Sequence, residues 1–168
     1  MIHVERNFLE LRDLKNLKVN LANKSNFLVK KIKPDFQLNK FFYKQVGKKY
    51  RWKDRLSWTD EFWIKYISNQ NLETYVISES EDLIGFFELL YNPDLNETEI
   101  SYFGLLEEYI GKGIGGYALS EAIKKAFEKN IKRVWLHTCT LDHPNALKNY
   151  MARGMRVFRK ENINILDS

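Results

Sequence analysis

"FGLLEEYIGKGIGGYALSEAIKKAFEK", residues Phe103–Lys129, decides how the chain folds. An apolar run stops, Gly111, Gly113, Gly115 and Gly116 fall close together, and a helical pattern begins. Glycines so spaced let the backbone take φ values that other residues resist, or let it come near something bulky. Beyond the turn, Ile114, Ala118, Leu119, Ala122, Ile123, Ala126 and Phe127 recur at helical spacing and predict an amphipathic helix. "IKRVWLHTC" (Ile131–Cys139) follows as a strand apolar enough to be covered on both faces. Strand, helix and strand together make a βαβ unit, whose two strands lie parallel with a right-handed connection.

The pattern extends outward on both sides. "NFLVKKIK" (Asn26–Lys33) reads as a short strand. "LNKFFYKQVGKKYRWKDRLSWTDEFWIKYISNQ" (Leu38–Gln70) reads as two amphipathic helices broken near Gly47. The second starts with Thr59 as N-cap, has Asp60 and Glu61 in its first turn, and puts Phe62, Trp63, Tyr66 and Ile67 on one side. Three strand-like runs come next, Glu73–Ser78, Asp82–Tyr91 and Glu97–Leu106. The turn "NPDLN" (Asn92–Asn96) makes the last two antiparallel neighbours. After the βαβ unit, Pro144 suits the first position of a final helix with Ala146, Leu147, Tyr150 and Met151 on its buried side. Gly154 is placed to end that helix, and "MRVFRK" closes as a last strand. The class is α/β with a mixed sheet.

No repeat or linker divides the 168 residues, so the expectation is one domain over 1–168, long enough to bury a real core. Hydrophobic residues at 44% and charged ones at 29% fit an ordinary globular chain rather than a disordered or membrane one. Cys139 is the single cysteine, which rules out an internal disulfide and suits a reducing compartment. "MIHVERNFLELRDLKNLKV" carries charge throughout and lacks an apolar core of signal-peptide length. No apolar run approaches the roughly 18 residues a membrane span needs. A cytoplasmic protein with no membrane partner is the reading. The net charge of +5 favours anions, but Lys and Arg are spread along the chain as on a solvated surface.

The glycines lie between a strand and a helix N-terminus, where unpaired N–H groups and the helix dipole attract anions. A tight turn that binds nothing would look the same. A Walker loop needs Lys and then Ser or Thr after its last glycine, whereas Tyr117 and Ala118 follow here. A dinucleotide fingerprint wants an acidic residue about 20 positions on, where "IKRVWLHT" has none. Neither pattern fits.

"IGKGIG" (Ile110–Gly115) instead resembles the Arg/Gln-x-x-Gly-x-Gly/Ala loop of the GCN5-related N-acetyltransferases (GNAT), with Ile110 in place of the Arg or Gln. "ALKNYMARGM" (Ala146–Met155) resembles that family's Ala-x-x-x-Tyr-x-x-x-Gly-Phe segment, with Met155 for Phe and His143 where many members have Asn. "HTCTLDHP" (His137–Pro144) is similar to a segment of a bacterial subgroup of these enzymes. The likeness covers roughly Glu73 to Lys160. It implies a mixed, mostly antiparallel sheet with a V-shaped splay between two parallel neighbours, flanked by helices. It also implies acetyl-CoA as co-substrate, and leaves a homodimer open.

By this resemblance the loop residues Ile110, Gly111, Lys112, Gly113, Ile114, Gly115 and Gly116 hold the coenzyme's diphosphate. Phe103 and Leu105 contribute backbone groups beside the splay, where Gly104 could carry a bulge, and His143 and Ala146 lie along the cofactor arm. Tyr150 would protonate the departing thiolate. An alkyl ammonium needs a base at neutral pH; the family's position falls on Glu99, with Glu97 nearby on the same strand face. His137 is either a satisfied core histidine or a substrate-facing group, and His143 is either a helix cap or a cofactor neighbour. Scattered His and one Cys lack zinc-ligand spacing, so no metal is expected.

The first third is rich in aromatics. Phe42, Phe62, Trp63 and Tyr66 sit at core spacing, while Tyr50, Trp52 and Trp58 fall in the connection, which the family uses as the acceptor side of its cleft. Aromatic walls suit a cationic or flat amine. The nearby Lys and Arg could serve nucleic acid instead, but the run is short and no recognised module surrounds it, so no nucleic-acid partner is expected. The expected activity is acetyl transfer from acetyl-CoA to the amine of a small molecule or peptide. The alternative is a non-catalytic acyl-CoA-binding sensor or assembly module of the same fold.

Overall fold

The computed structural model describes residues 1–20 and 26–166. Its strands are β1 (Ile2–Leu11), β2 (Phe27–Lys31), β3 (Leu72–Glu79), β4 (Asp82–Asn92), β5 (Glu97–Leu105), β6 (Arg133–Cys139) and β7 (Arg156–Ile165). The helices are α1 (Phe36–Gly47), α2 (Asp60–Ile67), α3 (Ile114–Phe127) and α4 (Ala146–Ala152). The strands form one sheet in the order β2-β3-β4-β5-β6-β1-β7. Neighbours are antiparallel except β5 and β6, which are parallel, as a crossover through α3 requires.

The α3 side of the sheet carries most of the core. Ala118, Leu119, Ala122 and Ile123 of α3 pack on Leu9, Ile77, Ile84, Phe87 and Leu136, all fully or nearly fully buried. On the opposite face Phe42 and Val46 of α1 pack on Val76 and Phe86, with the Phe42 and Phe86 rings stacked 5.0 Å apart. Each Val, Leu, Ile or Phe among these contributes about 1.5–3 kcal/mol when fully buried. The start of α2 follows the sequence: the Thr59 side chain accepts from the Phe62 N–H, and Asp60 and Glu61 occupy the first turn.

Several expectations need correction. β1 was not legible, because Arg6 and Glu10 fall where a simple alternation wants apolar residues. It fills the slot between β6 and β7, with Asn7, Leu9 and Leu11 toward α3 and Arg6, Phe8 and Glu10 on the other face. Pro144 precedes α4 rather than starting it; Asn145 occupies the N-cap. Met151 and Phe62 are exposed, not core. The β5 bulge lies at Ser101, where the register with β4 shifts between Ile100 and Tyr102. Gly104 is glycine for another reason: a Cβ there would stand 2.3 Å from Val46 Cγ1.

β5 and β6 pair only at Glu97–Arg133, Thr98–Val134 and Glu99–Trp135. From there β5 stays with β4 as far as Leu105, while β6 stays with β1 as far as Cys139. The two parallel strands therefore part, as the resemblance implies.

Candidate active site in the cleft between the parted strands

The gap between β5 and β6 opens into a cavity of about 940 Å³. One end meets the turn before α3. Gly113, the N-cap of α3, has φ 77° and supplies no side-chain cap, while Gly111 has φ 81°. Both conformations are strained for any residue with a Cβ. A Cβ on either would meet nothing within 4 Å, so these glycines are needed for backbone shape and leave open space before the helix. The first amides of α3 thus carry the helix's positive end into the cavity without a competing cap. Gly116 differs, because a Cβ there would stand 2.5 Å from the Arg153 guanidinium and 2.6 Å from Asn20.

Of the loop residues expected at the cofactor, Ile110, Gly111, Gly113, Gly115 and Gly116 line the cavity. Ile114 turns its side chain into the core, and Lys112 is exposed with Nζ 5.3 Å from the Tyr109 ring centre. Phe103, Leu105, His143 and Ala146 line it as well. His143 Nδ1 accepts from the N–H of Asn145, the N-cap of α4, and its ring meets Tyr50 edge-on at 6.1 Å.

Tyr150 comes from α4 and is buried, yet borders the cavity. Its hydroxyl makes no hydrogen bond among the described residues. Burial, with the Asp142 charge adding, pushes the phenol well above its ordinary range, so it stays protonated near neutrality. Glu99 projects from β5 at the last paired position before the strands part. Burial raises its carboxyl above the usual range; Arg55 opposes the shift, while Glu88 and Glu97 add to it. Glu97, its rival in sequence, is held by Arg133, whose Nε donates at 2.7 Å. That leaves Glu99 as the cavity's carboxylate on β5.

His137 stands in the cavity wall on β6, opposite Phe8 in register, with the two rings 5.5 Å apart. Burial first, and the Arg6 charge second, lower its pKa, so the imidazole is neutral near pH 7. Another part of the cavity wall is formed by the connection between α1 and α2. Tyr50 and Trp52 line it, and Trp52 packs edge-on against Tyr102 at 4.7 Å. Trp58 is not brought to the cavity; it lies behind the wall, over the Arg55 guanidinium at 4.8 Å.

Sequence reasoning passed over what supports this wall. Arg55 is 6% exposed and Glu88 fully buried, and they pair at 3.1 Å. The Tyr66 hydroxyl donates to Glu88 at 2.7 Å and accepts from Arg55 at 2.7 Å, while Asn39 Nδ2 donates to Glu88 at 2.9 Å. Asp54 takes hydrogen bonds from Tyr43 at 2.8 Å and Tyr102 at 2.6 Å. A run of alternating charges beside aromatics was the available signal, and it reads equally well as solvated surface.

Comparison with known proteins bears on the family and the fold. Residues 35–155 match the family model described as "Acetyltransferase (GNAT) family". A GCN5-related N-acetyltransferase from Sphaerobacter thermophilus superposes with a TM-score of 0.70 at 15% identity, over 94% of this chain and 49% of that one. One from Kribbella flavida gives 0.66 at 15% identity, over 93% and 55%. An IAA acetyltransferase from Bacillus cereus ATCC 14579 gives 0.59 at 21% identity, over 79% of each chain. The chain thus spans about half the length of the first two. No curated protein matches this sequence.

Proposed function

We propose, because the chain belongs to the acetyltransferase (GNAT) family, that its cleft takes acetyl-CoA and transfers the acetyl group to an amine. The observation that carries this reading is the meeting of an uncapped glycine N-terminus, a Tyr150 hydroxyl unpaired among the described residues and a half-buried Glu99 on one cavity. The residues fit the coenzyme. Gly111 and Gly113 leave free space in front of the first amides of α3, where a diphosphate is attracted by N–H groups and the helix dipole. When bound, acetyl-CoA supplies the thioester carbonyl and a thiolate leaving group.

The chain's own groups do the rest. Among the described residues, β5 beyond the Ser101 bulge has no strand partner on its β6 side, so its backbone is free to orient the pantetheine arm and the acetyl oxygen. Glu99 Oε, raised in basicity by burial, accepts a proton from the incoming ammonium directly or through water. Tyr150 Oη holds a proton for the leaving sulfur, and its own high pKa keeps it from giving that proton up to water first. Tyr50 and Trp52 supply an aromatic wall for the acceptor. No helix among the described residues is long and apolar enough to cross a membrane, and the cytoplasm, where acetyl-CoA chemistry meets free amines, is the proposed setting.

A thiol-release screen with acetyl-CoA and pooled amines tests the proposal. Tyr150→Phe is expected to cut turnover about 10²–10⁴-fold, while its affinity for acetyl-CoA and its melting temperature hold. Heat on binding acetyl-CoA with no thiol release from any pool would instead mark a non-catalytic acyl-CoA-binding module.

A further inference from the structure

Glu99 shares its sheet face with Trp135, its register partner on β6. Alternation puts His137 and Cys139 on that same face, and Cys139 is in turn paired with Arg6 of β1. Arg6 therefore stands on the acceptor face of the cleft, on the far side of the V from Glu99, and both residues line the cavity. The four residue steps from Trp135 to Cys139 span about 13 Å at strand rise, the reach of a small molecule or the end of a peptide.

The guanidinium of Arg6 lacks a committed partner. It makes no hydrogen bond among the described residues, and its Nε is a buried atom without one. Its nearest carboxylate is Glu161, 3.8 Å away, well beyond the roughly 2.7–2.9 Å of a charge-assisted hydrogen bond. Arg55, in the same cavity, presents the opposite case, since Glu88 and Tyr66 occupy its donors. A planar five-donor cation left open on a concave wall is built to take an oxyanion in a two-point contact. Arg6 also lies outside residues 35–155, the span that the family model matches.

We propose that Arg6 is the oxyanion subsite for the acceptor, so that the amine taken by this cleft also carries a carboxylate or a phosphate. The assignment rests on the acetyl-transfer reading above. The oxyanion docks on Arg6, and this orients the amine toward Glu99 and keeps uncharged amines as poor acceptors.

The test measures thiol release from acetyl-CoA with matched acceptor pairs: L-amino acids and a dipeptide against their C-terminal amides, and O-phosphoethanolamine against ethanolamine. The wild-type protein is expected to favour the anionic member of at least one set by tenfold or more in kcat/KM, mainly through KM, and the favoured set distinguishes carboxylate from phosphate. In Arg6→Gln that acceptor falls to the level of its uncharged partner, while Arg6→Lys keeps part of the preference. Calorimetry with acetyl-CoA on both variants separates the two readings. Coenzyme binding with no anionic preference in wild type, or a preference that survives in Arg6→Gln, overturns the subsite and leaves acetyl transfer standing. No heat with acetyl-CoA overturns both.

Discussion

In the proposed mechanism Glu99 serves chemistry at the expense of stability. Its carboxyl is raised above the ordinary value, so the folded chain holds that proton more tightly than the unfolded chain does. The ionised form, the competent base, is lost as pH falls through the raised pKa, which places the acid limb of the rate profile above the usual carboxylate range. Above that pKa the buried charge destabilises the fold, and below the ordinary pKa the penalty disappears. Glu99→Gln is therefore expected to lower kcat by about 10²–10⁴-fold, to remove the acid limb, and to raise the melting temperature at pH 7. Rate–pH profiles and melts on the same preparations check both signs. At this scale the sequence was informative where chemistry and backbone agree. The glycines stood out by spacing, and Tyr150 by the family resemblance of its segment. Glu99 could not be told from Glu97 until Arg133 was seen to hold the latter, since an ion pair from the neighbouring strand leaves no mark in local sequence.

Single elements are held to the sheet by close fits that a pattern of apolar positions cannot show. Gly104 lets α1 approach β5 so nearly that Val46 Cγ1 occupies the place of a Cβ. Gly104→Ala is expected to cost about 1–3 kcal/mol by overpacking, and Val46→Ala in the same chain should recover part of it; urea unfolding of the two single variants and the double one reads the coupling. The polar layer under α2 makes a different contribution. Glu88→Gln leaves Arg55 charged, buried and uncompensated, and breaking such a pair costs about 3–5 kcal/mol. The same change removes an acidic neighbour that raises Glu99 and leaves the Arg55 charge that lowers it, so the acid limb should move to lower pH. Helix positions were legible because periodicity and caps mark them, as at Thr59. The partners of Arg55 were not, because Glu88 and Tyr66 lie far off in sequence.

The whole molecule is a sheet whose continuity passes through the N-terminal strand. β1 bridges β6 and β7 by antiparallel ladders on both sides, and with it Arg6 enters the cleft. This part escaped sequence reading for a physical reason: Glu10 and Arg6 stand at strand positions normally apolar, and Glu10 is kept there by Arg12 and Arg133 at 3.0 and 3.1 Å. The βαβ unit was legible because strand, glycine turn and helix are contiguous there, whereas the splay was implied only by the family resemblance. The aromatic wall proposed for the acceptor was legible in composition but not in arrangement, and Trp58 lies behind the wall, not in it. The most direct test of the central claim, that the uncapped start of α3 grips a diphosphate, is calorimetric titration of the protein with acetyl-CoA and with S-acetylpantetheine, which carries the same thioester without the diphosphate. Saturable heat with acetyl-CoA and affinity at least a hundredfold weaker for S-acetylpantetheine is the expected result; equal affinities, or no heat from acetyl-CoA at millimolar concentration, would contradict it.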